Sequence, residues 1–383
     1  MLPAGPPGNG RSGAIAVACC VISNRLASTV NVSFNITILS PGIVTIPGLH
    51  DAACPEWLYG SETLLAVLCA GFAVELVFGG LPGFRQFFAL PRSVTMLVAA
   101  RADRRLNRLK RSRRSRKTRG ALVVVFLLAL AAVAGLYGAE FCRSIADGWI
   151  VETLLIATCV GLQRPVFAAG ALRRAMARKS IDHARAVLGR VVEYETEAVD
   201  EHALARGSVE LFAVRLCDGL VGPAFWYLVA GLPGPFVYRV VTAMADELAY
   251  PTEKHAAFGA MAGAMDRLMN FIPAPMSALL IVVGTLFAPT ARPLAAFRGM
   301  FGAAGAGRLP REGWTQGAIA GALGLSLSGP RRLDGIASPG AWIGNGRARA
   351  NATDIARAMW LYLITGFLGL VPLVLLALIV HRF

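Results

Sequence analysis

The sequence predicts an all-α, polytopic integral membrane protein with interrupted or re-entrant helices and helical loops on the cytoplasmic side. Three observations carry this. Of 383 residues, 55% are hydrophobic and only 16% are charged, against roughly 25% charged in soluble domains. Mean hydropathy is +0.57. Several apolar runs approach the roughly 20 residues that cross a bilayer. The runs are continuous rather than alternating, which argues against a closed β-barrel. Their apolar richness excludes disorder for most of the chain.

The elements follow in order. Residues 1–60, rich in Gly, Pro, Asn, Ser and Thr, are expected to form an N-terminal extension outside the core. Their one apolar run, 13–22, is too short to span. With Arg11 before it, the run reads as a weak signal-peptide core, with 16–19 as a faint lipoprotein box. A misassigned start codon accounts for the whole segment equally well. A membrane domain is expected over 61–383. Its candidate spans are 64–78, 121–139, 149–169, a long interrupted stretch 211–241, 276–288 and 359–380.

Charge sets the expected topology. Lys and Arg number 38 against 23 Asp and Glu, a formal net charge of +15, and the segment 101–119 alone holds eleven basic residues and one acid. It directly abuts the span at Ala121. Basic stretches also lie at 85–119, 173–190 and 292–357. The positive-inside rule places all three in the cytoplasm of a bacterial inner membrane. The spans 121–139 and 149–169 then make one out-and-back hairpin. The 101–119 block is also suited to anionic lipid. Nucleic acid is not expected as a partner, because no aromatic or base-reading pattern accompanies the charge.

The stretch 211–241 carries Arg215 and Asp218 together with Gly219, Gly222, Pro223, Gly231, Pro233, Gly234 and Pro235. Irregular backbone at membrane depth survives only inside protein or along a cavity. It predicts a bent or re-entrant hairpin meeting at 231–235. Intramembrane charge points to a site, but Arg215 and Asp218, at i and i+3, equally suit an internal ion pair. Residues 172–210 read as a soluble helix capped by Asp182, with Ala184, Val187, Leu188, Val191 and Val192 on its apolar face. The cysteines, at 19, 20, 54, 69, 142, 159 and 217, form no CxxC pair and show no zinc-ligand spacing. The histidines form no HExxH, and no Walker A loop or dinucleotide fingerprint occurs in a suitable context. A metalloprotease or thiol-redox function finds no support.

Over 189–346 the sequence resembles the CobD/CbiB family of cobalamin biosynthesis. The resembling pieces are Gly189-Arg190, the run 196–206 (TEAVDEHALAR), Val209-Glu210, the run 218–223 (DGLVGP), the run 231–234 (GLPG), Tyr238-Arg239, Phe258-Gly259, Asp266 and the run 270–274 (NFIPA). They continue with Gly313-Trp314, the run 320–324 (AGALG), Leu327, Gly329-Pro330 and the run 342–346 (WIGNG). Their ordered sum carries the resemblance; no single piece does. The block 75–91, followed by a basic helix, is a weaker match.

The resemblance implies an adenosylcobinamide-phosphate synthase-type ligase. Such a protein joins adenosylcobyric acid to an aminopropanol or its phosphate, forming an amide at the expense of ATP. The implied partners are a corrinoid, an amino-alcohol phosphate, the lipid membrane and other proteins of the pathway. The implied cofactors are Mg²⁺ and ATP, which call for carboxylates on the metal and cations on phosphate. The polar positions that still match the family are Glu210, Asp218, Asp266 and Asn270 as catalytic candidates and Arg190 and Arg206 for phosphate or substrate. Asp218 and Asp266 are the candidate Mg²⁺ ligands.

Several polar positions depart from the family pattern. Its Glu-Asn pair is Val214-Arg215 here, its Asp-Asp pair is Asp266-Arg267, its Pro-Ala-Arg is Pro273-Ala274-Pro275, and its Ser-Pro-Asn is Leu309-Pro310-Arg311. On a helix, Arg206, Glu210, position 214 and Asp218 form one i+4 stripe, with two acids where the family has three. Two readings follow from the resemblance: a divergent ligase, or a catalytically degenerate relative kept as a membrane scaffold or AmpE-like sensor. A transporter, drawing on broken helices, is a third.

Overall fold

The computed structural model describes residues 61–382 apart from 193, 251, 308, 334, 335 and 339. The expectations on 1–60, among them the signal-like run and Cys19, Cys20 and Cys54, lie outside the described residues. Those residues belong to one unit, Trp57–Phe383. It is a helical membrane fold.

The chain runs α1 (Ser61–Phe78), α2 (Pro82–Leu106), α3 (Arg113–Ser144), α4 (Gly148–Cys159), α5 (Gln163–Ala177), α6 (Ile181–Gly189) and α7 (Glu201–Leu216). A π-helical turn, Cys217–Val221, joins α7 to α8 (Gly222–Ala230). Then come α9 (Pro233–Leu248), α10 (His255–Phe258), α11 (Ala260–Met269), α12 (Pro273–Thr285), α13 (Pro293–Gly302) and α14 (Pro310–Leu323). Four short strands, β1 (Leu327–Ser328), β2 (Arg331–Leu333), β3 (Ile336–Ser338) and β4 (Trp342–Ile343), precede α15 (Ala352–Arg382).

Among the described residues, three stretches are long and apolar enough to cross a membrane: Arg113–Ser144, Glu201–Ala230 and Ala352–Ile379. Two bent pairs qualify when each is taken as one span: α4 with α5, bent by 41°, and α11 with α12, bent by 54°. On α3, Leu122, Phe126, Leu130 and Leu136 are exposed, as are Trp360, Phe367, Leu375 and Ile379 on α15. Apolar exposure on that scale belongs against lipid tails.

Sequence explains where the helices begin and end. Ser112 caps α3, its Oγ accepting from Ser115 N at 3.3 Å. Asp200 caps α7, accepting from Ala203 N at 2.7 Å. Pro233, Pro273, Pro293 and Pro310 stand in first turns, where a missing N–H costs nothing. Helix α8 ends at Gly231, whose φ of 62° and ψ of −153° suit glycine alone. Within 211–241 the helical chain therefore breaks at Gly231–Leu232, between α8 and α9, where its breakers predict a bend.

Two expectations change. The span 149–169 is not straight: α5 restarts after Cys159, and Glu75 Oε1 accepts from Gln163 N at 3.1 Å to cap the new start. Residues 172–210 are not one helix either. The chain leaves helix after Ala177 and again between Gly189 and Glu201. Asp182 lies inside the first turn of α6, paired with Arg185 at 3.0 Å, rather than capping it.

The main core joins Leu68 and Phe72 of α1, Ile156 of α4, Leu172 of α5, Leu204 and Phe212 of α7, Ile319 of α14 and Leu361 of α15. Between helices in lipid such contacts stabilise through close van der Waals packing rather than removal from water. Three interruptions meet inside the bundle. At the first, Gly161 N donates to Gly219 O of the π turn at 3.2 Å. At the third, Asn270 ends α11 and accepts from Cys217 Sγ of the π turn at 3.4 Å. The described residues of the segment 325–347 form a strap against α7, meeting it at Glu210 and Arg206. In it β1 pairs antiparallel with β4 and β2 with β3.

Candidate functional site

Two adjoining features make the site: a cleft of about 600 Å³ and a buried ionic cluster beside it. The cleft is walled by α7 through Glu210, Leu211, Val214 and Arg215, by α9 through Asp246, and by α11 through Gly263 and Arg267. Glu312 and Gln316 of α14 add a further side, and the strap closes it with Ser328, Gly329 and Arg331. Its surface mixes apolar groups with charges of both signs.

The cluster is centred on Arg311, in the first turn of α14, with 0% of its surface exposed. Each of its three guanidinium nitrogens meets a carboxylate from a different element. Nε lies 3.2 Å from Asp218 Oδ1 of the π turn. Nη2 donates to Asp246 Oδ1 of α9, and Nη1 to Asp266 Oδ1 of α11. Two more guanidiniums balance the charge. Arg92 of α2 stands 2.7 Å from Asp246 Oδ2. Arg215 stands 3.5 Å from Asp218 Oδ2 and 3.9 Å from Asp246 Oδ2. Three carboxylates therefore face three guanidiniums. Burial acts to strip the Arg311 proton, but Asp218, Asp246 and Asp266 outweigh it and hold that proton far more tightly than usual.

Two neutral donors and a fourth buried guanidinium, Arg239, complete the network. Asn270 Nδ2 donates to Asp266 Oδ1 at 3.1 Å, and Tyr238 OH donates to Asn270 Oδ1 at 2.8 Å. Arg239 Nη1 donates to Asp218 O at 3.4 Å. Asp266 Oδ2 is buried and accepts no hydrogen bond.

The sequence candidates separate into three places. Asp218, Asp266 and Asn270 come together in the cluster. Glu210 sits in the cleft wall, bonded to the strap: it accepts from Ser328 N at 2.6 Å and pairs with Arg331. Burial works against the charge of Arg331, but Glu210 more than compensates and raises its proton affinity. Arg206 also serves the strap, donating to Ala348 O at 2.7 Å and lying 5.2 Å over the Trp342 ring. Arg190 is exposed at the end of α6, beside Val191 and Val192 of the cleft wall. The i+4 stripe thus converges on no common partner. The internal pairing of Arg215 with Asp218 is present, whereas Glu210 pairs with Arg331 rather than Arg206.

Asp246, Arg92, Arg311 and Arg331 were not among the sequence candidates. The signal existed for Asp246 and Arg92, each a charge set in an apolar helical run and so suspect at membrane depth. Arg311 stood out only as a departure from the family pattern.

The donor set does not fit Mg²⁺ at Asp218 and Asp266. Their Oδ1 atoms are held by one guanidinium lying between them. Among the described residues, no three Asp, Glu, His or Cys groups could hold a metal ion.

Comparison with known proteins places this geometry in context. The sequence model of the family described as CobD/Cbib protein matches residues 68–362. A cobalamin biosynthesis protein CobD of Brucella anthropi is 32% identical over 219 residues, covering 56% of this chain and 66% of the relative. Those of Sinorhizobium fredii and Photorhabdus laumondii are 30% and 28% identical, covering 56% and 61% of this chain and 66% and 72% of the relatives. The chain thus spans just under two thirds of the length of the Brucella relative, at 66%. No solved structure matches it.

Proposed function

This chain belongs to the CobD/Cbib protein family, and from that premise we propose that it acts in cobalamin biosynthesis. The finer proposal is a membrane ligase that joins a corrinoid carboxylic acid to an aminopropanol or its phosphate. The observation that carries it is the cleft of about 600 Å³, with Arg215, Arg267 and Arg331 on its wall. Guanidinium groups suit carboxylate and phosphate, and the apolar stretch of Val191, Val192, Leu211 and Val214 suits the body of a large ligand. In this proposal the chain binds and orients the acid and the amine side by side, which is where much of the rate gain of a two-substrate reaction arises. ATP supplies the driving force in the family reaction. No step is routed through a metal at Asp218 and Asp266, where Arg311 stands.

The test is complementation of a strain lacking the family enzyme, scored by cobalamin-dependent growth. The expected result is growth with the wild type and loss of growth with Arg267→Glu at equal membrane yield. Arg267 is exposed on the cleft wall, so its substitution leaves the core intact.

A second reading has one observation in its favour. Val214 and Arg267 both line the cleft where the resemblance expects acids. This suits a relative that binds pathway ligands as a scaffold or sensor without turnover. A wild type that binds corrinoid but fails to complement supports it. So does a folded Val214→Glu/Arg267→Asp variant that gains amide formation over a silent parent. We also propose an inner-membrane location with the basic 101–119 segment in the cytoplasm.

A further inference from the structure

We infer that Arg311 is the resident cation of the buried cluster, a fixed guanidinium that fills the space between Asp218, Asp246 and Asp266 and excludes a divalent metal ion from them. The inference holds for the ligase and the scaffold readings alike.

The geometry is that of a cation site already filled. Asp218, Asp246 and Asp266 come from three separate elements and set their Oδ1 atoms around the edge of one guanidinium, each against a different nitrogen, Nε, Nη2 and Nη1. Arg311 is 0% exposed and Asp218 and Asp266 are each 0% exposed, so no water-filled gap separates the charges. A guanidinium does not lose its proton in proteins. It therefore cannot be removed by pH.

Charge balance closes the site to a second cation. With Arg92 and Arg215, three guanidiniums already face the three carboxylates. A divalent ion added among them would leave two buried positive charges without partners, a costly arrangement. Asp266 Oδ2 is the oxygen left over. It is buried and accepts no hydrogen bond, and with the guanidinium gone both oxygens of that carboxylate become available to an ion.

The consequence concerns the adjoining cleft. Asp246 and Arg215 belong to both features, so the cluster sets the field at the cleft wall without supplying a metal. A divalent ion serving a reaction in the cleft is therefore not supplied by this cluster.

The test titrates Mn²⁺ into the full chain purified in detergent, without nucleotide, and reads the free-ion electron paramagnetic resonance signal. Wild type is expected to leave that signal unchanged relative to Asp266→Asn. Arg311→Ala is expected to take up about one equivalent, and Arg311→Ala/Asp266→Asn to lose that uptake. Mn²⁺ bound by wild type and released by Asp266→Asn overturns the inference. So does a folded Arg311→Ala that takes up none. If Arg311→Ala is not recovered folded, wild type against Asp266→Asn decides alone: equal signals uphold the resident cation and unequal signals overturn it.

Discussion

Glu210 of α7 and Arg331 of β2 form a carboxylate–guanidinium pair across the rim of the cleft. The same carboxylate accepts from Ser328 N at 2.6 Å, and Arg331 lies 4.5 Å over the Tyr194 ring. One acid therefore ties the strap to the bundle at two points. The pair gives Glu210 a structural task beside any contact it makes with a ligand.

Glu210→Gln keeps the shape and removes the charge. Hydrogen bonds to charged groups contribute about 1.5–3 kcal/mol each, so the variant should lose about 2 kcal/mol. The loss should be local. Limited proteolysis should cut within 328–341 faster in the variant than in wild type, while cleavage elsewhere stays unchanged. Equal rates of cutting in the strap would show that Glu210 is not its tie.

Gly219 is set by a close approach. A Cβ there would lie 2.7 Å from Gly161 O, a backbone oxygen that cannot swing aside. Gly219→Ala must push the π turn away from the α4–α5 bend. Overpacking of this kind costs about 1–3 kcal/mol. The unfolding midpoint in detergent should fall accordingly, and a midpoint matching wild type would mean that the two interruptions are not in register.

Asp103 of α2 gives a pH dependence. Burial alone would raise its pKa, but His255, Asn107 and Lys254 outweigh burial and hold it at about 2. Lys254 Nζ stands at 3.2 Å and His255 Nε2 at 3.4 Å. A carboxylate depressed below its unfolded value stabilises the fold above about pH 4, and that contribution disappears as the pH falls toward 2. The shift is worth at most about 2 kcal/mol. Between pH 5 and pH 3 the thermal midpoint of wild type should fall further than that of Asp103→Asn. Parallel curves would remove Asp103 from the acid response.

Ser112 reports the topology. It is exposed at the start of α3, amid the eleven basic residues of 101–119. Ser112→Cys should resist a membrane-impermeant maleimide added to the periplasmic side and react once the membrane is opened. Strong labelling in intact cells would invert the proposed orientation.

The sequence by itself determined the fold class, because continuous apolar runs leave a chain few alternatives to membrane helices. It also marked the bend at Gly231, since a glycine two residues before a proline readily takes the positive φ that ends a helix. It named Asp218, Asp266 and Asn270, and these do meet. It did not show on what they meet. Asp218 and Asp266 lie 45 and more residues from Arg311, and such a convergence is set by how four elements pack, which no local period encodes. The same holds for Glu210. Its place two i+4 steps before Asp218 suggested a shared ligand, but Cys217–Val221 is a π turn and the strap, more than 100 residues later, supplies the partner of Glu210. Local propensity and hydropathy fix which segments are helical and where they stop. Which charge faces which is decided only by burial, where a carboxylate removed from water needs a cation or hydrogen-bond donors in the folded chain.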